Sequence, residues 1–275
     1  MEISVSRNLH TIINYGVRTM RIFETLTEAS SEIKRDLSKS RGTSTHLVQG
    51  QIAIEDADYY ELIGYSYMIL NPIPQEEAVR VSRELGYISS QEEEDEYIQF
   101  LAEESRLRKL SFFYSAKGES DSDIPDFAEF FNPSNLSDLH HRSLRKVQNL
   151  GYSYSERLFC GYRYIEEELK RDRYSRRLFV PVFWPSDFQH IHEAVRVPCT
   201  LGYQFLIRRR SHYIADHATL IYYMRSNDLT RFWASDLYFA SELLTEFCRR
   251  TKTEYSGIIH SVSSLHSWIG NEEIY

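Results

Sequence analysis

The chain has 275 residues, of which 42% are apolar, and its longest strongly apolar run, Leu178–Trp184, is far too short to span a membrane. Carboxylates outnumber Lys plus Arg by 40 to 32, a formal net charge of −8. With basic runs confined to Arg171–Arg177 and Arg208–Arg210, bulk binding of nucleic acid is excluded, whereas a small anion gripped by a few Arg forks is not.

Residues 8–39 read as mostly helical, with Leu9, Ile12, Ile13, Val17, Met20 and Phe23 at helical spacing. Arg41–Thr45 breaks that pattern. His46–Ile54 and Tyr65–Leu70 read as strands, the second stopped by Asn71-Pro72. Glu76–Leu85 and Glu92–Leu110 are helical by composition. Residues 115–128 form a polar loop. Ser137–Leu150 predicts a helix stopped by Gly151, and Ser155–Lys170 one with the apolar face Leu158, Phe159, Tyr162, Ile165 and Leu169. Leu178–Phe183, Cys199–Ile207 and Tyr213–Met224 are β-rich. Ser226-Asn227-Asp228 offers an N-cap to a helix running to about Arg250, where Arg249 and Arg250 suit the C-terminal dipole. Gly257–Leu265 is a last strand. One α+β domain over residues 1–275 is expected, with its strands mostly in the second half.

The N-terminus carries no apolar signal stretch. The 3 Cys (Cys160, Cys199 and Cys248) are too widely spaced for a disulfide framework or a zinc site, so a reduced, cytoplasmic setting without a metal is expected. Cys199 follows Pro198 at a strand start. Such a thiol is either a small buried hydrophobe or, beside a positive charge, a nucleophile. Arg225-Ser226, at a strand end before a helix, reads either as a phosphate site or as an exposed Arg next to an N-cap. Glu96 sits in the acidic run Glu92–Glu96, which alone suits a helix start. His260 and His266 lie on or beside the last strand, where a satisfied structural His is the default.

Order and spacing say more than any one residue. Pro198-Cys199-Thr200-Leu201-Gly202-Tyr203-Gln204-Phe205 resembles the nucleophile strand of thymidylate synthases, Gln204 included. Arg225-Ser226-Asn227-Asp228 resembles that family's phosphate-binding turn. Asp236, eleven residues beyond Arg225, stands where the family has a base-reading Asn. Gly257-Ile258-Ile259-His260 through His266 resembles its sugar-contacting strand. Arg176-Arg177 resembles the Arg pair that one subunit lends to its neighbour. Tyr154 falls at an active-site Tyr, Glu96–Leu101 resembles the helix of the catalytic Glu, and Arg41 resembles the mobile phosphate-binding Arg. Residues 1–40 have no counterpart.

The resemblance implies a large mixed β-sheet packed with helices, the sheet forming a homodimer interface with shared sites. It implies that Cys199 adds to C6 of a pyrimidine nucleoside monophosphate and that C5 takes a one-carbon unit from 5,10-methylenetetrahydrofolate. Glu96 would relay protons. Arg225, Ser226, Arg41 and the partner's Arg pair would hold the phosphate, Asp228 of the same turn would be a substrate-binding residue, and His266 would contact the sugar. Asp236 points to cytosine: a carboxyl accepts from N4–H₂ and shares a proton with N3, whereas the family's Asn complements uracil. Cytidylate (CMP or dCMP) 5-hydroxymethylases resemble this chain at that position. Thr200, Met224, Ser264 and Trp268 depart from the thymidylate synthase pattern. So do the segment Thr230–Ser235, beside the folate site, and the end at Tyr275 without a folate-closing tail. An open lid would admit water to the intermediate and favour a hydroxymethyl product. The alternatives are a C5 methyltransferase and a non-catalytic nucleotide-binding homologue.

Overall fold

The protein is described from a computed structural model covering residues 20–40, 42–49, 52–116, 154–190, 197–209 and 215–268. A short strand β1 (Arg21–Phe23) leads into α1 (Leu26–Leu37). Thr25 caps α1 through its side chain, which accepts from the Glu28 N–H, and Lys34 and Arg35 occupy its last turn. Leu26, Ala29, Ile33 and Leu37 recur every three or four residues and are fully buried. A long hairpin follows, β2 (Gly42–Gln49) and β3 (Ile52–Ile69). Then come α2 (Gln75–Glu84), α3 (Gln91–Ala116), α4 (Tyr154–Arg171), β4 (Phe179–Pro181) and a 3₁₀ turn at Pro185–His190. The chain continues with β5 (Thr200–Arg209), β6 (Asp216–Met224), β7 (Asn227–Asp228), α5 (Trp233–Thr251) and β8 (Glu254–Trp268).

These strands form one mixed sheet in the order β1-β3-β8-β6-β5-β4, with β2 added beside β3 and β7 beside β8. The β1–β3, β6–β8 and β7–β8 pairs are parallel and the others antiparallel. Helices pack on one face, and the strand residues alternate accordingly. Tyr203, Phe205 and Ile207 of β5, Leu220 and Tyr222 of β6, and Ile258, His260 and Val262 of β8 are buried. Their neighbours Gln204, Leu206, Ile221, Tyr223, Ile259 and Ser261, on the opposite face, are only half-buried. Helix α5 lies across the middle, where Phe247 stacks on Phe205 at 4.4 Å between centroids. Gly257 holds φ +136° where β8 meets β3; a Cβ there would lie 2.7 Å from the Ile69 carbonyl.

Three expectations need correction. The region read as helical through residue 23 contains β1, because pairing with Tyr67–Ile69 outweighs local preference. Strands are not concentrated in the second half. The polar stretch Glu55–Gly64 belongs to β3, whose alternation is hidden by acidic residues. No helix starts at Ser226: Asn227–Asp228 pairs with Leu265–His266, and α5 begins only at Trp233. The loop at 117–128, the helix at 137–150, the N-terminal part of the first helix and Arg41 lie outside the described residues. Among those described, no helix is long and apolar enough to cross a membrane, and no cluster of His, Cys, Asp or Glu is arranged to hold a metal.

Candidate active site

Cys199 immediately precedes β5, and Arg225 immediately follows β6. The antiparallel register pairs Thr200 with Met224, so the two residues meet at the same end of the sheet. The Arg225 amide donates to the Cys199 carbonyl (2.9 Å). Its Nε donates to Pro198 O (2.9 Å), and Nη2 donates to Val197 O (3.1 Å) and lies 3.6 Å from Cys199 Sγ. The guanidinium thus pins the Cys-bearing segment and faces its sulfur. Arg225 is exposed, Cys199 is half-buried, and Nη1 has no hydrogen-bond partner among the described residues. A half-accessible sulfur beside a guanidinium is the setting that nucleophilic thiols use.

Ser226 is half-buried, and Asn227 and Asp228 turn inward. Asp228 Oδ1 accepts from the amides of Thr230 (3.0 Å) and Arg231 (3.2 Å), which shapes the turn before α5. Asp228 Oδ2 is buried without a hydrogen bond, 3.8 Å from Arg231 Nε. Burial raises this carboxyl above the usual range, against the pull of His266 and Arg231. His266 is half-buried opposite Asp228 in the β7–β8 pairing, and its carbonyl accepts from Leu229 N (2.8 Å). Residues 225–231 and His266 therefore share the end of the sheet that carries Cys199.

Behind Cys199 lies a cluster that the sequence did not announce. The Thr200 and Tyr222 hydroxyls are 2.9 Å apart, and Tyr222 stacks on Tyr203 at 4.7 Å with 12° between planes. Asp236, half-buried in the first turn of α5, acts on both phenols and on Tyr97. Burial is the main cause that raises Tyr222, and the Asp236 carboxylate adds to it. Tyr203 is raised by burial and Asp236 although the Arg108 charge opposes them. Arg108 of α3 is itself buried, 4% exposed. Its guanidinium sits 4.2 Å from the Phe239 ring centroid and 5.2 Å from that of Tyr154. It donates to Glu104 (2.8 Å) and, at 3.5 Å, to the Tyr203 hydroxyl. Burial works against its charge, but the Glu104 carboxylate favours it and Arg108 stays protonated.

Cys199, Arg225, Ser226, Asp228 and His266 thus converge at one end of the sheet. Tyr154 and Asp236 adjoin the hydroxyl cluster that begins at Thr200. Glu96 is half-buried near the start of α3, next to Tyr97, the member of its helix that feels Asp236. Gln204 stands about 13 Å further along β5, on the open face. Its amide donates to Arg176 O (2.8 Å) and accepts from the Tyr223 hydroxyl (3.1 Å). Arg176 and Arg177 are exposed between α4 and β4, away from Cys199 on this chain. The residues that sequence reasoning missed are Arg108, Tyr203 and Tyr222. A signal for Arg108 was present: Tyr97, Leu101, Ser105 and Arg108 recur at helical spacing, so this Arg falls on the buried stripe.

No protein-family model matches the chain, and no curated protein matches it by sequence. Among solved structures it is similar to thermostable thymidylate synthase A from Bacillus subtilis. The TM-score is 0.50 and the identity 12%, over 87% of this chain and 78% of that one. The protein has the fold of thymidylate synthase.

Proposed function

We propose that the chain is a pyrimidine nucleotide C5 transferase of the thymidylate-synthase type, acting on CMP or dCMP and yielding the 5-hydroxymethyl nucleotide. The observation that carries this reading is the Arg225 guanidinium bonded around Pro198–Cys199 with its Nη2 3.6 Å from the sulfur. It is supported by Asp236 standing at the edge of the hydroxyl cluster behind that sulfur.

In this reading the Cys199 sulfur bonds to C6 of the base, which makes C5 a carbon nucleophile. Methylenetetrahydrofolate would supply the one-carbon unit that C5 takes up. Tetrahydrofolate would leave that carbon, its two nitrogens taking up the C5 proton, relayed by Glu96 through water, and one proton of a second water, whose hydroxide would complete the hydroxymethyl group as the Cys199–C6 bond breaks. Arg225 and Ser226 hold the phosphate, with Arg41 as a further ligand, and His266 contacts the sugar. The folate fits this chain on one observation: Asp228 Oδ2 is a buried acceptor without a hydrogen bond, the Asp228 carbonyl accepts from the Phe232 amide (3.1 Å), the Asp228 carboxyl acts on Tyr87, and the Phe232 and Tyr87 rings lie 6.4 Å apart. Asp228, Phe232 and Tyr87 would hold its flat, N–H-bearing ring.

The same proposal includes a homodimer. The open sheet face presents half-buried Leu206, Ile221, Tyr223 and Ile259 for a second copy, and Arg176 and Arg177 would reach that copy's phosphate site. A cytoplasmic setting belongs to this reading.

The test is incubation of CMP, dCMP, UMP and dUMP with methylenetetrahydrofolate, with products read by mass. The expected product is cytidylate heavier by one formaldehyde, without dihydrofolate. A methyl product with dihydrofolate would establish the methyltransferase alternative instead. Cys199→Ala should retain nucleotide binding but lose tritium release from C5-labelled CMP. Absence of both product and tritium release from the wild-type protein would refute the reading.

A further inference from the structure

We propose that Glu61 determines sugar specificity, accepting a hydrogen bond from the 2′-hydroxyl of the nucleotide and so selecting CMP over dCMP. This inference rests on the function proposed above and deepens it, because that reading leaves ribose and deoxyribose open.

The observation is a row of residues across three strands. Glu61 of β3 stands directly opposite His266 of β8, and His266 stands opposite Asp228 of β7. Paired residues project from the same face of a sheet, with Cα atoms about 5 Å apart. Glu61, His266 and Asp228 are therefore consecutive members of one row, His266 lying between two acidic residues. Ser264, two residues before His266 on β8, shares that face, and its hydroxyl donates to Glu61 Oε1 at 2.5 Å. This bond leans the Glu61 carboxylate over β8, the strand that carries His266.

The two acidic residues are not equivalent. Asp228 is 6% exposed and commits Oδ1 to the Thr230 and Arg231 amides inside the turn. Glu61, Ser264 and His266 are each half-buried, so a ligand can reach them. A carboxylate accepts up to about four hydrogen bonds, so the Ser264 bond orients Glu61 without exhausting it.

The ligand chemistry follows from an acceptor standing next to the residue that contacts the sugar. Ribose carries two neighbouring hydroxyls, and a carboxylate accepting from the 2′-OH is a general way of recognising it. With His266 on one hydroxyl, Glu61 is placed for the other. A 2′-deoxy sugar strips water from Glu61 without returning a hydrogen bond, and that imbalance is what rejects it. Ser264, which orients Glu61, is also one of the positions at which the chain departs from the thymidylate synthase pattern.

The experiment titrates the wild-type protein, Glu61→Ala and Ser264→Ala with CMP and with dCMP by calorimetry. The wild type is expected to bind CMP at least tenfold more tightly than dCMP. Glu61→Ala should weaken CMP by about tenfold, the loss of one hydrogen bond to a charged group, and leave dCMP unchanged. Ser264→Ala removes only the hydroxyl that orients Glu61. It should lower the CMP:dCMP ratio severalfold, and it decides the matter if Glu61→Ala fails to fold. A merely structural role, or a bond to the 3′-hydroxyl that both sugars share, would weaken the two nucleotides alike. Equal wild-type affinity for CMP and dCMP, or a ratio unmoved in the folded variants, overturns the role of Glu61. Failure of the wild-type protein to bind either nucleotide refutes the proposed function instead.

Discussion

His260 offers the sharpest quantitative test. It lies at the centre of the sheet, 0% exposed, between the rings of Tyr67 and Tyr222. The Trp233 indole, a donor only, donates to the Tyr67 oxygen at 2.6 Å, so the Tyr67 hydrogen goes to His260 Nδ1 at 2.7 Å. The imidazole hydrogen then sits on Nε2, which is buried without a hydrogen bond. Burial pushes this His down from 6.5 to about 3. Between those values the unfolded chain binds a proton that the folded chain refuses, so stability falls as pH falls. The loss attributable to His260 is about 2 kcal/mol at pH 5 and on the order of 3 kcal/mol at pH 4. Well above pH 6.5 neither state is protonated and nothing is lost. His260→Asn should be less stable at pH 8, because it is smaller, but its urea-unfolding free energy should decline less between pH 8 and pH 5, by about 2 kcal/mol. Asp228, raised by burial, acts in the opposite sense and is common to both proteins, so it cancels in the difference. Parallel pH profiles for wild type and variant would refute this account of the core.

Two further outcomes are expected. Asp187 binds Arg157 through both oxygens, the second at 2.7 Å from Nη2, with both residues buried. Asp187→Ala should cost about 3–5 kcal/mol in denaturant unfolding, and Asp187→Asn less, because it keeps an acceptor in place. Equal losses would show that the retained acceptor contributes nothing and that the lost charge accounts for the whole cost. Asp236→Asn should move nucleotide preference from cytosine toward uracil by tenfold or more, read as the ratio of CMP to UMP binding constants. An unmoved ratio would remove Asp236 from base recognition.

Much of the fold was legible in the chain because its helices carry their signals locally. The Leu158, Ile165 and Leu169 face of α4 and the Arg249–Arg250 terminus of α5 each arise within a few residues. So do β5 and β6, whose alternation follows from one covered face. The ordering of Pro198-Cys199, Arg225-Ser226 and Asp236 was likewise visible, because those residues stand at the ends of such elements.

Pairing between distant segments was decided elsewhere. Nothing near Arg21–Phe23 or Glu55–Gly64 marks a strand; the first extends because it pairs with β3 and the second because it pairs with β2 and β8, a long-range choice that local propensity cannot express. Asn227–Asp228 joins β8 rather than capping a helix because Asp228 spends its carboxylate on the following turn. The site shows the same division. Sequence alone determined that a Cys, an Arg turn and a carboxyl recur in a telling order. Only the folded sheet brought Arg225 to within 3.6 Å of the Cys199 sulfur. Only the packing of α3 and α5 on that sheet set the Arg108 cation against Tyr203 and Tyr222, because burying a charge requires partners from several elements at once.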